Sequence, residues 1–320
     1  MSLTGIRRGQ GWRALANSVT GDIPAVVRYL APDAQGAGWR VLGSGTVIGS
    51  IEDRWLITAT AAALFEAVPL APPEPMPGAA DGDRRYGWQA LQALRCALTV
   101  PARNGEILCR LGAAAISARV SERDTARVCV GLPEALPVGV LPIDLGPPPA
   151  PEETVLVAGF GLPESAATPD ARGADGGPPV PARRLLVREG FFGEFGALTG
   201  RLRYPLFRHL IPLEPTMMGG PVIMHRQTQP GAALRTLVAI NSQDVPQVNG
   251  DASLRPEVEG EGFATHVLSL YAQHVPLPSG TWIPFLEAVK RGAVKSFGPE
   301  ALRVAQRPRE HGFTQFYVEP

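Results

Sequence analysis

The sequence predicts an all-β protein of antiparallel strands arranged in two comparable halves. Most of the periodic signal between Ile23 and Ser242 comes in short runs rich in β-branched residues, cut about every ten to twenty positions by Gly or Pro clusters. That is the spacing of sandwiches and barrels. The 320 residues include 36 glycines and 33 prolines, many more turn-formers than an average chain carries. The gaps between runs are too short throughout for the crossover helices a parallel sheet requires. A Pro-rich stretch from Pro137 to Pro151, with three consecutive prolines at 147 to 149, divides the β region as an extended linker between two barrels would.

Taken in order, the apolar spacing of Trp12, Leu15, Ala16 and Val19 predicts a helix near the start. Strands follow at Ala25 to Leu30, Arg40 to Ile48, Trp55 to Thr58, Glu106 to Leu111 and Ala126 to Leu132, then at Thr154 to Phe160, Arg184 to Val187, Pro221 to Met224 and Thr236 to Asn241. Near the end Trp282, Phe285, Leu286 and Val289 share a helical face, with Thr281 as the expected N-cap. The expected organisation is an N-terminal helical extension over 1–20, a first barrel over 21–136, a linker over 137–152, a second barrel over 153–275, and a C-terminal helix and tail over 276–320. Long Gly/Pro/Ala-rich loops are expected at 71–83 and 163–181.

Composition narrows the function. Thirty basic residues balance thirty acidic ones, so the neutral chain offers no electrostatic footprint for nucleic acid or an anionic membrane surface. No stretch approaches about 18 unbroken apolar residues, and no secretory run opens the sequence, so a cytoplasmic location is expected. Cys96, Cys109 and Cys129 form neither an even disulfide set nor a close pair, and sit among apolar neighbours as small hydrophobes. At 45% hydrophobic residues the chain can bury a large core without staples, and no cofactor or metal is expected.

Three segments carry chemistry. Residues 43 to 63 read Gly-Ser-Gly-Thr-Val-Ile, a turn, then Trp-Leu-Ile-Thr-Ala-Thr-Ala-Ala-Ala; residues 215 to 222 read Pro-Thr-Met-Met-Gly-Gly-Pro-Val; residues 124 to 128 read Asp-Thr-Ala-Arg-Val. Together, and in this order, they resemble the trypsin-like serine proteases from about Ile23 to about Ser269. The resemblance implies a chymotrypsin-type double barrel. It places Ala61 where the family carries its general-base histidine, Asp124 at its carboxylate and Met218 at its nucleophilic serine. Only Asp124 retains the family's residue type. By the same correspondence the backbone N–H groups of Thr216 and Met218 would line the oxyanion pocket.

All five histidines, His209, His225, His266, His274 and His311, lie in the second half, so the first 208 residues hold no imidazole. Acyl transfer by a hydroxyl needs a base within hydrogen-bond reach, because a hydroxyl is a poor nucleophile at neutral pH. An alanine methyl accepts no proton, and a thioether carries no acyl group. Other constellations fare no better: no Cys/His protease signature surrounds the cysteines, no histidine pair has ligand spacing, and no Gly-x-Ser-x-Gly string occurs.

The altered site predicts a catalytically inactive trypsin-like protein that acts as a polypeptide-binding, scaffold or regulatory subunit, with Thr216, Met217, Met218, Gly219 and Gly220 as its binding residues. Met217, Met218 and Met224 would form a soft apolar surface, with Met218 filling space that the missing imidazole vacates. Asp124 would find a new partner in backbone N–H groups, the Thr60 hydroxyl or Arg127. The alternative is a hydrolase with a displaced catalytic group, perhaps using a second-half histidine.

Overall fold

The computed structural model of the chain describes residues 12–14, 25–35, 38–65, 74–75, 84–85, 94–101, 107–120, 125–132, 134–135, 139–141, 143, 153–161, 169–170, 180–181, 184–196, 206–229, 232–242, 262–267, 270, 274–277, 281–296, 304–308 and 314–318. In chain order the strands are β1 (Trp12–Ala14), β2 (Val26–Pro32), β3 (Trp39–Ile51), β4 (Trp55–Thr60), β5 (Glu74–Pro75), β6 (Arg84–Arg85), β7 (Arg95–Pro101), β8 (Ile107–Val120) and β9 (Thr125–Gly131). The second half supplies β10 (Thr154–Phe160), β11 (Pro169–Asp170), β12 (Val180–Pro181), β13 (Leu185–Gly196), β14 (Leu206–His209), β15 (Pro221–Gln229), β16 (Ala232–Asn241) and β17 (Gly262–His266). Beyond it lie β18 (His274–Pro276), β19 (Trp282–Pro284), the helix α1 (Phe285–Lys290), β20 (Val304–Pro308) and β21 (Thr314–Val318).

Two rings close, each from six antiparallel strands. The first runs β2-β3-β4-β9-β8-β7 and back to β2; the second runs β10-β13-β14-β17-β16-β15 and back to β10. The two orders are the same when each ring is counted from its own first strand: first beside second and fourth, third beside sixth. The chain is therefore a double antiparallel β-barrel of the chymotrypsin type, with the same topology used twice. Bends that close the rings fall at register shifts, at Val47/Gly49 in the first and Phe192/Phe195 in the second, where an unpaired residue increases local twist.

Alternation along β10 shows how the barrels pack. Val155 and Val157 enter the second-barrel core with Phe192, Ile211, Met217, Val222 and Val238, while Leu156, Ala158 and Phe160 face the larger cluster centred on the first barrel. Each fully enclosed Val, Leu, Ile or Phe contributes about 1.5–3 kcal/mol relative to exposure. Arg28 on β2 crosses the same interface, its guanidinium carbon 4.8 Å from the Phe160 ring centroid.

The Pro-rich connection touches both barrels: the Leu141 amide donates to the Val47 carbonyl at 2.9 Å, and Ile143 bridges Leu237 in parallel. The C-terminal helix belongs to the first barrel in space. Phe285, Leu286, Ala288 and Val289 are buried in its cluster, and after the helix Ser50 and Lys295 exchange both backbone hydrogen bonds at 2.8 Å while the Ser296 hydroxyl donates to the Ile48 carbonyl.

The elements depart from expectation at several points. Trp12–Ala14 is a strand and not the start of a helix, because these residues pair with the open edge of β13; residues 15–19 lie outside the described residues. The C-terminal helix starts at Phe285 with Pro284 as its N-cap, so Thr281 does not cap it. Instead the Thr281 carbonyl accepts the Leu277 amide and closes the β18–β19 hairpin. Strands β7, β14 and β17 were not expected. Cys96 and Cys129 are buried; Cys109 lies on β8, and Asp124 is outside the described residues.

Candidate functional site

At the junction of the two barrels the end of β4 packs against the loop that enters β15. Ala61 follows β4 directly, is fully enclosed, and leads into a tight 3-10 turn over Ala62–Phe65. Opposite it, Pro215–Met217 form a second 3-10 turn, Met218 is extended at φ −54 and ψ 137, and Gly219 takes φ +81. Only glycine enters that region without strain. A Cβ on Gly219 would also strike the Thr60 hydroxyl and the Ser44 carbonyl, so the loop's approach to the first barrel requires a residue with no side chain.

Ser44, the middle residue of Gly-Ser-Gly, holds the loop. Its amide donates to the Met218 carbonyl at 2.8 Å, its hydroxyl donates to the Thr216 carbonyl at 2.7 Å, and that same hydroxyl accepts the Phe160 amide at 2.8 Å. The Thr60 hydroxyl donates to the Ser44 carbonyl at 2.6 Å. The Thr60 proton is thus committed to backbone. From the other side the Gly219 amide donates to the Asn241 carbonyl at 2.9 Å, and the Asn241 amide to the Gly220 carbonyl at 2.8 Å.

This geometry corrects two expectations. The Met218 amide, expected to point into an oxyanion pocket, donates back to the Pro215 carbonyl at 3.3 Å, and the Met217 amide to the Glu214 carbonyl at 2.8 Å. The turn spends its own donors, because Pro215 at its first position fixes φ for a 3-10 turn. Met217, expected on the binding surface, is fully enclosed in the second-barrel core, and Met224 is buried beside it. Thr216, Gly219 and Gly220 are buried as well, which leaves half-buried Met218 as the loop side chain nearest solvent among the five. It packs against the cluster containing Ala61 and Leu64.

Below the loop, Arg188 on β13 donates to the Pro212 carbonyl at 2.5 Å and to Glu214 Oε1 at 2.6 Å, fixing the segment that precedes the turn. His209 ends β14 at 1% exposure with Nε2 3.3 Å from Asn241 Oδ1. Burial pushes its pKa down to about 4, and burial does the same to His266, so both rings are neutral at pH 7. Among the described residues no group of three His, Cys, Asp or Glu side chains could hold a metal ion, and no helix is long and apolar enough to cross a membrane. Ser44 was legible in its motif only as a strand residue, and nothing in the sequence marked Arg188, His209 or Asn241 as neighbours of the loop.

No protein-family model and no curated protein matches the chain. Its likeness is to solved structures. The protease domain of MamO from Magnetospirillum magneticum, in its apo form, aligns with a TM-score of 0.44 and 17% identity over 77% of this chain and 94% of that one. The active form of the Rv3671c protease from M. tuberculosis aligns at 0.45 and 14% over 80% and 82%, and a serine endoprotease from Yersinia pestis at 0.41 and 16% over 77% and 60%.

Proposed function

We propose that the chain is a catalytically inactive trypsin-like protein that holds an extended polypeptide in the cleft between its barrels without cutting it, as a binding, scaffold or regulatory subunit. The observation that carries this reading is Met218: its side chain has no proton to yield, and its amide is spent on Pro215. Ala61 at the base position, in a chain whose first 208 residues lack histidine, supports the same conclusion. Loss of nucleophile and base together removes the covalent route and not merely one factor of rate. Recognition of an added β-strand survives that loss, because main-chain hydrogen bonds supply much of it. The neutral charge balance favours a polypeptide over a polyanion as partner.

The test is a pair of measurements on the full chain. Incubation with a fluorophosphonate probe and a peptide library is expected to give neither labelling nor cleavage, while immobilised protein retains members of the same library. Retention is expected to fall with Met218→Glu, which puts a charge at the half-buried position of the loop. Labelling or cleavage that copurifies with the protein would instead favour a hydrolase with a displaced catalytic group.

A further inference from the structure

The second barrel has an edge that its ring leaves open. β13 holds β10 through seven residues, Leu185 to Phe191, along one side, and meets the β14 segment from its other side at Phe191 and Phe192, where the Phe191 carbonyl accepts the Leu210 amide and Phe192 pairs with His209. The outward side of its first half is therefore a strand edge, and unpaired edges accept any extended chain that fits. Here β1 takes it, with Trp12 opposite Gly190, Arg13 opposite Glu189 and Ala14 opposite Arg188. Arg13 Nε donates to Glu189 Oε2 across the pair. Among the described residues β1 pairs with three of the seven register positions that β10 uses on the opposite side of the same strand.

We propose that this edge of β13 is an exchangeable strand-acceptor site, closed in cis by β1 and able to take, in its place, an extended segment of a partner polypeptide with a basic residue in register with Glu189. The charge that selects the segment is that of the Arg13–Glu189 pair, and the backbone geometry is that of β1 itself. Arg188 lies in the same stretch of the strand and turns its guanidinium to Pro212 and Glu214. Pairing at this edge uses the backbone of β13 and the Glu189 carboxylate, so it stands whether or not the loop beside β15 binds peptide.

A fluorescent peptide with the sequence of residues 9–17 serves as the probe, titrated into full-length protein and read by polarisation. A tethered strand competes at an effective concentration in the millimolar range, so wild-type protein is expected to bind the peptide weakly. Arg13→Glu repels β1 from Glu189 and should tighten peptide binding about tenfold. The R13E/E189R double variant restores the cis pair with charges reversed and should return binding to the wild-type level, while a peptide carrying Glu at the Arg13 position should displace nothing from Arg13→Glu protein. Circular dichroism establishes that each variant remains folded. Equal peptide binding by wild-type and Arg13→Glu protein, or undiminished binding of the unmodified peptide by the double variant, overturns the proposal.

Discussion

Ser44 ties the two barrels together through Thr216, donating its hydroxyl to the Thr216 carbonyl at 2.7 Å while accepting the Phe160 amide at 2.8 Å. Removing this hydroxyl leaves a carbonyl and an amide unpaired in a site where Ser44 itself is fully enclosed. Ser44→Ala should therefore cost about 2–3 kcal/mol, the penalty for stranding buried polar groups. Thr46→Val is the control: the Thr46 hydroxyl is buried with no hydrogen-bond partner among the described residues, and its loss should be neutral or stabilising. Urea unfolding of both variants checks the contrast, and equal midpoints would contradict it.

Gly219 is the second contact on which the loop depends. At φ +81, with Thr60 and Ser44 in the way of any Cβ, Gly219→Ala pays both backbone strain and a steric clash. A loss of about 3 kcal/mol or more is expected. Gly292, also at positive φ (+71) but with nothing near its Cβ position, pays strain alone, so Gly292→Ala should cost about 1 kcal/mol. Thermal unfolding of the pair separates the clash from the strain.

Much of this was legible because the strands concerned carry β-branched runs and the loop carries glycines that have few other uses. Thr154 to Phe160 was readable to the residue, and Gly-Ser-Gly with Met-Met-Gly-Gly-Pro located the two sides of the cleft. The rest depended on partners that are distant in sequence. β7 opens with Arg95-Cys96-Ala97-Leu98, a weak strand pattern, and is specified by its pairing with β2 and β8. Trp12–Ala14 has helical apolar spacing but meets a strand edge about 175 residues away. Met217 and Met218 are indistinguishable by type; only the 3-10 turn sends one into the second barrel and the other toward the first.

Acid should weaken the second barrel first. His209 titrates at about 4 in the fold against an ordinary 6.5, because burial disfavours the imidazolium. A depressed histidine leaves the unfolded chain as the better proton binder, so its contribution is fully present above about pH 6.5 and is lost as pH falls toward 4. For this enclosed ring the loss is about 3 kcal/mol. His209→Gln, which keeps a hydrogen-bonding amide beside Asn241, should flatten the stability profile over that window even if it lowers stability at pH 7. His266, shifted in the same direction by burial, would retain part of the slope. Unfolding free energies from pH 7.5 to 4 decide it, and parallel profiles for wild type and variant would rule His209 out.

Restoring the residues of an active protease at the two altered positions should not restore activity. In an Ala61→His/Met218→Ser double variant the hydroxyl and the imidazole would return, but Ser44 would still hold the Thr216 and residue-218 carbonyls, and the 218 amide would still face Pro215. An oxyanion formed there would find the 218 amide turned away, and loss of one such donor alone slows acyl transfer by about 100- to 1,000-fold. The double variant is therefore expected to label with fluorophosphonate at no more than about a hundredth of the rate of an active trypsin-like enzyme assayed alongside. Adding Pro215→Gly removes the fixed φ at the first position of the turn and should accelerate labelling of the double variant. Rapid stoichiometric labelling without that third change would mean that the turn opens freely, and that the side chains at positions 61 and 218 alone decide reactivity.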